Sequence, residues 1–358
     1  MTAYNATANV LNAYKSKDFS TVTVPSEYAV PKYSYDYSPT YHAEKTLQPK
    51  SDTLATVRQT GADSNYQLQS TLYLPLDSAT KKGINSNPQS AVFSKDDRYL
   101  YVMYVDQTGN RTDSQNGWVI RYDWQKLTSL GVRKNGQMQL VRKAAVDQYH
   151  NKATKTDKAI LKCIKVGPTF NTGHAQSLAL NPKTNELWFV KGRSTDKSTV
   201  ERLNPNTLTP DAAVNFTLKP GMHMGSVLAF DNDGNAYYWT QTVTPWATAP
   251  VDSAKIYKGE ISTGRVRFSL VMQGLSKAPG SVVQSMGYNG ANNRLYLVSN
   301  GSIFSVPVDK LGHLDASDVS ATNFTGNREF EGVAFMHQQN AGFVLANRGP
   351  SILQMIYK

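Results

Sequence analysis

One pattern of polar and hydrophobic positions occurs five times along this chain. In each copy a polar residue opens a short apolar stretch, a polar turn follows, and an aromatic-rich stretch completes the unit. The copies are Gln89-SAVFSKDDRYLYV, Gln176-SLALNPKTNELWFV, Ser226-VLAFDNDGNAYYW, Gln284-SMGYNGANNRLYLV and Glu331-GVAFMHQQNAGFVLA. Two short apolar segments joined by a tight turn predict a β-hairpin in each copy. A unit that recurs in this way predicts hairpins arranged around an axis.

The strands that follow these hairpins predict a complete propeller. From Tyr66 onward the predicted strands come in groups of four, which is the composition of a propeller blade. In the first group, a polar insertion over residues 131–158 precedes an outer strand over residues 159–166. The fifth group has only three strands, so the unassigned strand over residues 66–74 is expected to complete it. The sequence therefore predicts an all-β fold, a single five-bladed β-propeller with four-stranded blades over residues 65–358.

Residues 1–64 do not share this pattern. They contain clusters of Pro, Ser and Tyr, such as VPSEYAVPKYSYDYSPTYH, without helical or strand periodicity. We interpret this segment as an extended N-terminal arm that packs on the propeller through its tyrosines. A disordered tether has the same composition and stays open as the alternative.

The charge of the chain favours acidic partners. The 358 residues carry a formal net charge of +11, and the sequence pI is about 9.4. Such a balance suits anionic wall polymers, anionic lipid or nucleic acid. No helix-turn-helix, RNP or zinc-finger spacing is present, so nucleic acid is not expected as a partner. Cys163 is the only cysteine, which excludes an intramolecular disulfide and a site made of several thiolates.

The sequence also bears on location. No apolar run approaches the length of a membrane helix, so no membrane span is expected. The opening MTAYNATANV lacks the regions of a signal peptide, which leaves a cytosolic protein or the mature part of a secreted one. Richness in Asn, Ser, Thr and Tyr and the lack of a disulfide favour a secreted protein of a Gram-positive cell wall or surface.

The residues that open the five copies are candidates for a binding site. The innermost strands of a propeller line its channel, so Gln89, Gln176, Ser226, Gln284 and Glu331 should form a ring at one mouth. His174 and Glu329 precede this ring by two residues, on the same strand face, and His223 lies one step away from the corresponding position in its copy. These amides, carboxylates and imidazole suit sugar hydroxyls or a phosphodiester. A structural plug whose side chains satisfy one another is the alternative.

Catalysis and metal binding have weaker support. Glu331 is the one acid of the ring, and Glu329 lies on the same strand, whereas glycoside cleavage needs two carboxylates on opposite sides of a sugar. His174 has no nucleophile motif beside it, and the six His show no zinc-binding spacing. We therefore expect no catalytic set, no metal and no cofactor. Trp246, in the loop TPWATAP, is a further candidate, as a surface anchor for a sugar face or a partner.

Three segments carry a family resemblance. GHAQSLALNP, VLAFDNDGNAYYW and SVVQSMGYN resemble the helveticin J family, which comprises large bacteriocins and surface-associated proteins of lactobacilli. The resemblance covers approximately residue 89 to the C-terminus. It implies a secreted protein of a class associated with killing related bacteria, and it points to His174, Gln176, Gln284 and Glu331. The chain departs from the family in having Gln at position 176, where an acid can occur, and in its N-terminal arm.

Three functional hypotheses follow. The first is a cell-surface protein that binds anionic cell-wall polymer or a glycan through its basic surface and axial mouth, with a surface-layer protein as a further candidate partner. The alternative is a bacteriocin that acts on related Gram-positive bacteria. The third is a structural scaffold whose polar ring holds no ligand.

Overall fold

The chain is an all-β five-bladed propeller, as the repeat predicts. The computed structural model describes residues 1–6, 17–28, 52–75, 87–106, 115–194, 197–218, 223–245, 248–347 and 349–358. Within these residues, the strands form five sheets, and each sheet begins with one of the five repeated hairpins. We number the sheets as blades 1 to 5 in the order of those hairpins.

Each blade pairs its strands in chain order from the axis outward, with mostly antiparallel neighbours. Blade 1 contains Asn87–Phe93, Tyr99–Val105 and Asn116–Asp123, with Ile164–Val166 and Phe170–Asn171 on its outer edge. Blade 2 contains Ala179–Asn181, Glu186–Ser194, Lys197–Asn204 and Thr209–Thr217. Blade 3 contains Ala229–Phe230, Ala236–Gln241, Ala254–Ser262, Arg265–Leu270 and Gln273–Leu275. Blade 4 contains Ser285–Asn289, Arg294–Ser299, Ser302–Pro307 and Ser320–Phe324, and blade 5 contains Glu329–Phe335, Gly342–Asn347 and Ser351–Tyr357.

An N-terminal strand closes the ring, as the strand count predicts. Tyr66–Tyr73 pairs antiparallel with the C-terminal strand Ser351–Tyr357, from Tyr66 opposite Tyr357 to Tyr73 opposite Ser351. Both ends of the propeller are thereby held in blade 5, and the edge of the C-terminal strand is paired.

The described parts of residues 1–64 add further strands to the outer blade edges. Thr2–Asn5 runs parallel to the last strand of blade 2, and Ser20–Val22 runs parallel to Gln273–Leu275 of blade 3. Thr56–Thr60 and Thr53–Leu54 pair antiparallel with the outer strands of blades 4 and 5. A short 3-10 helix at Ser26–Tyr28 lies between the strand Ser20–Val22 and the strand Thr53–Leu54 in the chain. These parts are extended and packed on the blades, whereas the tyrosine-rich residues 29–51 lie outside the described residues.

The insertion in blade 1 is helical, which corrects the predicted outer strand over residues 159–166. Helix α1 spans Trp124–Ser129, α2 spans Leu140–Tyr149 and α3 spans Lys155–Leu161, so that only Ile164–Val166 of the predicted strand pairs with blade 1. Thr154 and Asp157 form a capping box at the start of α3, which fixes the helix where apolar alternation alone indicates a strand. None of the described helices is long and apolar enough to span a membrane.

Buried Arg142 attaches this insertion to the closing blade. Its Nε donates to the backbone oxygen of Leu74 at 2.8 Å, and one terminal nitrogen donates to the oxygen of Pro350 at 3.0 Å. Its guanidinium also lies 5.2 Å from the ring centre of Tyr73. Residues 124–166 contain ten Lys and Arg and two Asp, so much of the net charge of the chain belongs to this insertion.

Three innermost strands are shorter than predicted. The repeats predict them over residues 174–180, 225–230 and 281–288, whereas the strands are Ala179–Asn181, Ala229–Phe230 and Ser285–Asn289. In blade 2 the reason is local, because Gly173 and Ala175 adopt φ values of +57° and +60°, in the left-handed region that interrupts an extended strand. The chain therefore enters this blade through a turn that carries His174.

Small residues allow the innermost strands to meet at the axis. Ala91, Ala179, Ala229, Gly287 and Ala334 surround a narrow apolar space there. At Gly287 a Cβ would lie 2.7 Å from Val333 Cγ1 of the next blade, which is too close for any side chain. Fully buried aromatic rings fill the space between blades further out. For example, Trp239 of blade 3 donates its Nε1 hydrogen to the backbone oxygen of Ser285 in blade 4 at 3.0 Å.

Asp97 joins the first blade to the last on the face where the hairpins turn. Its side chain is buried, and its two carboxylate oxygens accept the backbone N–H groups of His337 and Gln338, each at 2.6 Å. The sequence places Asp97 in a hairpin turn, which is correct. Its contact with blade 5 is visible only in the structure.

Candidate functional site

All five predicted ring residues line one cavity at the propeller axis. This axial mouth has a volume of about 610 Å³, and Gln89, Gln176, Ser226, Gln284 and Glu331 belong to its lining. Two further predicted residues, His174 and Glu329, also line it, together with Asn87, Gln115, Asp106 and Trp239. The alignment of the repeats therefore brings seven of the nine candidate residues together.

The other two candidates are not part of the cavity lining. His223 is exposed and lies three residues before Ser226, outside the innermost strand Ala229–Phe230 of blade 3. Trp246 lies outside the described residues.

A glutamine–serine pair builds the mouth in three blades. In each pair the glutamine faces the axis, whereas the following serine makes backbone contacts beside it. Ser90 Oγ donates to the oxygen of Ala175 at 2.6 Å and accepts the N–H of Leu178 at 3.1 Å, which ties blade 1 to blade 2. Ser285 Oγ accepts the N–H of Val333 at 3.2 Å and ties blade 4 to blade 5. The repeated dipeptide at 89–90, 176–177 and 284–285 is the sequence signal for this arrangement, and our sequence reasoning missed it.

Hydrogen bonds between blades fix the amides on one side of the mouth. Gln176 Nε2 donates to Gln284 Oε1 at 2.6 Å and makes a longer contact of 3.5 Å with Glu331 Oε2. Gln284 Nε2 donates to Asn300 Oδ1 at 2.9 Å, and the same oxygen accepts the N–H of Phe330 at 2.9 Å. We call Gln176, Gln284, Glu331 and Asn300 the amide ladder. It connects blades 2, 4 and 5, so part of the predicted plug is present.

Other polar atoms of the mouth have no partner within the described residues. Gln89 makes only a long contact of 3.4 Å, from Nε2 to the oxygen of Pro88. Neither the Oε1 atoms of Gln89 and Gln176 nor the hydroxyl of Ser226 has a hydrogen bond to another described residue. Because polar groups at such sites bond to water or to a ligand, these atoms are candidates for binding.

The electrostatic character of the mouth differs from that of the whole chain. Glu329, Glu331 and Asp106 line it, whereas no Lys or Arg of the described residues does. Both glutamates are buried, at 8% and 3% exposure. His174 Nδ1 lies 3.4 Å from Gln115 Oε1, and since this oxygen can only accept, the contact favours a proton on Nδ1. The described part of the lining therefore carries three carboxylates and no Lys or Arg, in a chain of formal charge +11.

The described residues offer no obvious metal centre. No group of three or more His, Cys, Asp or Glu among them is arranged to hold a metal ion. Residues 231–235 read DNDGN, which is similar to the start of a calcium-binding loop. They form a hairpin turn, in which the carboxylate of Asp231 accepts the N–H groups of Asp233 and Asn235 at 3.0 and 2.9 Å and the hydroxyl of Tyr237 at 2.8 Å. What the axial geometry offers is hydrogen bonding by amides, carboxylates and an imidazole.

Comparison with known proteins gives structural similarity alone. No family model and no curated protein matches the sequence. A solved structure described as a putative oxidoreductase (glucose dehydrogenase) from Thermus thermophilus is similar, with a TM-score of 0.39 and 11% identity, and the match covers 81% of this chain and 100% of that one. A gluconolactonase from Xanthomonas campestris has a TM-score of 0.39 and 10% identity, and the match covers 86% of this chain and 96% of that one.

These comparisons correct the predicted function. The two similar structures are described as an oxidoreductase and a gluconolactonase, so the prediction of a wall-binding protein, with a bacteriocin as its alternative, is wrong. The activities of those two proteins are their own and do not transfer to this chain at such low similarity. The resemblance to the helveticin J family and the secreted location are not tested by these findings and stay predictions. The function of this chain has to be inferred from its own axial mouth.

Proposed function

We propose that the chain is a small-molecule-binding propeller whose axial mouth takes an uncharged, hydroxyl-rich molecule. The observation that carries this proposal is the lining of the mouth. It combines carboxylates with amide and hydroxyl groups that lack partners within the described residues, and no Lys or Arg of those residues lines it. A volume of about 610 Å³ lies within the usual range of small-molecule sites, roughly 300–1,000 Å³.

The amides favour hydroxyl groups as binding partners. A glutamine side chain presents both an acceptor oxygen and donor hydrogens, and a hydroxyl group can bond to either. The amide ladder fixes the orientation of Gln176, so its Oε1 can accept from a ligand while Nε2 stays engaged with Gln284. A site that is organised before binding loses less conformational entropy when the ligand enters.

The carboxylates disfavour an anionic ligand. Glu331 and Glu329 are buried in the lining, and a phosphate or carboxylate placed beside their carboxylates would meet groups of like charge. The same carboxylates can accept hydrogen bonds from hydroxyl groups. A neutral polyol therefore fits this site better than an anion of equal size.

Ligand-observed NMR on the full chain tests the proposal. Saturation-transfer spectra would be recorded with glucose, sorbitol, glucose 6-phosphate and choline, each at about 10 mM, where millimolar affinities are visible. We expect glucose or sorbitol to bind and glucose 6-phosphate to bind at least about tenfold more weakly, a difference of about 1.4 kcal/mol. Preference for the phosphate or for choline, or no binding of either neutral compound, would refute the proposal.

Two variants locate the binding. Gln176→Leu removes the amide and should abolish the signal of the neutral ligand, whereas Gln148→Leu, an exposed position on α2, should leave it unchanged. Because Gln176 also belongs to the amide ladder, urea unfolding of both variants has to accompany the spectra. Loss of binding in a Gln176→Leu protein that is still folded assigns the ligand to the axis.

A second candidate function is acid–base chemistry on the bound molecule. His174, Glu329 and Glu331 line the same cavity, and groups of these types transfer protons in enzymes. Product formation can be followed in the same NMR samples over time. Turnover that disappears in Glu331→Gln while binding persists supports catalysis, and ligands that stay unchanged over days exclude it for those compounds.

A further inference from the structure

A second cavity lies on the face opposite the axial mouth. The innermost strand of blade 1 runs from Gln89 at the mouth towards the hairpin that contains Lys95, and this hairpin forms one wall of the second cavity. Leu187 and Asn206 of blade 2 form another wall. The volume is about 590 Å³, close to that of the axial mouth. We call this cavity the interblade groove.

Arg121 is held in a fixed position in the groove. It belongs to the third strand of blade 1, and its guanidinium carbon lies 4.4 Å from the ring centre of Tyr99. One terminal nitrogen donates to the backbone oxygen of Pro205 in blade 2 at 3.3 Å. Tyr101 is also in the lining, and burial raises the pKa of Tyr101 to about 12, so its hydroxyl stays protonated at neutral pH.

Arg121 has no carboxylate partner within the described residues. Other arginines of the chain have one: Arg98 pairs with Asp123 at 3.3 Å, and Arg202 pairs with Glu186 at 2.8 Å. Asp96, the one acid among the described residues that line the groove, is engaged in its own hairpin. Its carboxylate accepts from Ser94 Oγ at 2.6 Å and from the N–H of Arg98 at 3.2 Å, and the Ser94 bond is the main cause of a lowered pKa of Asp96.

The arrangement selects the chemistry of a ligand. A guanidinium held by an aromatic ring and one carbonyl keeps further N–H groups for an oxyanion, and its planar fork matches the two oxygens of a carboxylate or phosphate. Lys95 adds a second positive charge to the lining. Leu180, Leu187 and Pro205 supply an apolar surface beside these charges, which can cover a carbon framework.

We propose that the interblade groove binds a small organic oxyanion, a molecule that carries a carboxylate or phosphate on an apolar body, with Arg121 as its bidentate contact. The proposal does not depend on the function proposed for the axial mouth, since the two cavities share no lining residue. It assigns opposite ligand preferences to the two ends of the propeller: neutral polyols at the mouth and anions in the groove.

The experiment uses three aromatic probes of similar size and different charge, with inorganic phosphate as a fourth probe that lacks the apolar body. Phenyl phosphate, benzoate and benzyl alcohol would be titrated into the full chain at low salt and followed by proton-detected ligand NMR, and inorganic phosphate would be followed by its phosphorus resonance. We expect phenyl phosphate or benzoate to bind, and benzyl alcohol and inorganic phosphate to bind at least about tenfold more weakly, since each lacks one of the two recognised features. The stronger of the two aromatic anions identifies the oxyanion.

Variants distinguish a specific binding site at Arg121 from non-specific attraction of anions to the positive charge of the chain. Arg121→Gln should weaken the best probe about tenfold or more, and Arg121→Lys should weaken it in part because it keeps the charge and loses the fork. Arg267→Gln removes the same charge from an exposed arginine of blade 3 and serves as the matched control. Equal losses in Arg267→Gln and Arg121→Gln, or unchanged binding in Arg121→Gln, would overturn the proposal. So would the absence of binding by both aromatic anions.

Discussion

Asp97 offers a direct test of how the ring is closed. Its buried carboxylate accepts two backbone N–H groups of the blade 5 hairpin, from His337 and Gln338, at 2.6 Å each. Its φ of +59° lies in the left-handed region, which asparagine adopts about as readily as aspartate. The variant Asp97→Asn therefore changes the hydrogen bonds without imposing a new backbone strain.

The expected loss follows from the chemistry of the two groups. Aspartate gives both N–H groups a charged acceptor, and each such bond contributes about 1.5–3 kcal/mol. Asparagine keeps one neutral acceptor, worth about 0.5–1.5 kcal/mol, and turns an NH₂ group towards the second N–H, which is left buried without a partner. We expect Asp97→Asn to lower the free energy of unfolding by about 2–4 kcal/mol, a large part of the roughly 5–15 kcal/mol typical of a folded domain.

Urea unfolding at neutral pH, followed by circular dichroism, measures this loss. The matched control is Asp96→Asn in the same hairpin, where the carboxylate is exposed and bonds only to Ser94 and Arg98 nearby. The control should lose less than about 1 kcal/mol. If Asp97→Asn stays within about 0.5 kcal/mol of the parent chain, or if both variants lose the same amount, Asp97 does not clamp the ring.

Three further predictions concern packing, pH and the insertion. Gly287→Ala should lower the free energy of unfolding by about 1–3 kcal/mol, because its Cβ would lie 2.7 Å from Val333. Gly264→Ala places its Cβ in open space and should leave the stability unchanged, and thermal unfolding of the two variants compares them. Burial raises the pKa of Glu201 in the folded chain. The stability that the protonated carboxyl contributes is therefore present below its ordinary pKa and is lost as pH rises through the pKa of the folded state. Urea unfolding should show the parent chain losing stability relative to Glu201→Gln as pH increases from about 4.5. Arg142→Met should increase hydrogen exchange in α2 while the blades keep their protection, and unchanged exchange there would contradict its anchoring role.

The inner hairpins could be predicted because their signals are local. Alternation and a polar turn predict strands over residues 99–105, 294–299 and 302–307, and the structure has the strands Tyr99–Val105, Arg294–Ser299 and Ser302–Pro307. The ring of five polar residues follows from aligning the repeats, since equivalent positions of a repeat occupy equivalent places around the axis. Ring closure follows from counting strands, because an unpaired edge in blade 5 requires a partner.

The remaining features depend on contacts that a local pattern does not encode. The strand Thr2–Asn5 adds to the edge of blade 2, more than 200 residues away in the chain, and nothing in its four residues identifies that edge. Helix α3 overlaps an apolar alternation, and the capping box from Thr154 to Asp157 is the signal that distinguishes the two structures. At the axis, the sequence identifies the residues of the ring. The hydrogen bonds of the amide ladder depend on the orientation of each side chain, which the repeat pattern does not specify.

Net charge was the weakest guide to the ligand because it sums groups that act in different places. Much of the positive charge belongs to the insertion, whose strand Ile164–Val166 lies three strand positions from the axis-lining strand Asn87–Phe93. At about 4.8 Å per strand this separation is about 14 Å, which exceeds the Debye length of about 8 Å at physiological salt. The exposed lysines there should thus be screened from a ligand at the axis, which meets the carboxylates of Glu329 and Glu331. Binding of a neutral ligand at the mouth should accordingly change little between low and high salt. Binding of an aromatic anion at Arg121 should weaken as the salt concentration rises. One salt titration with the neutral polyol and the aromatic anion can therefore separate the two sites.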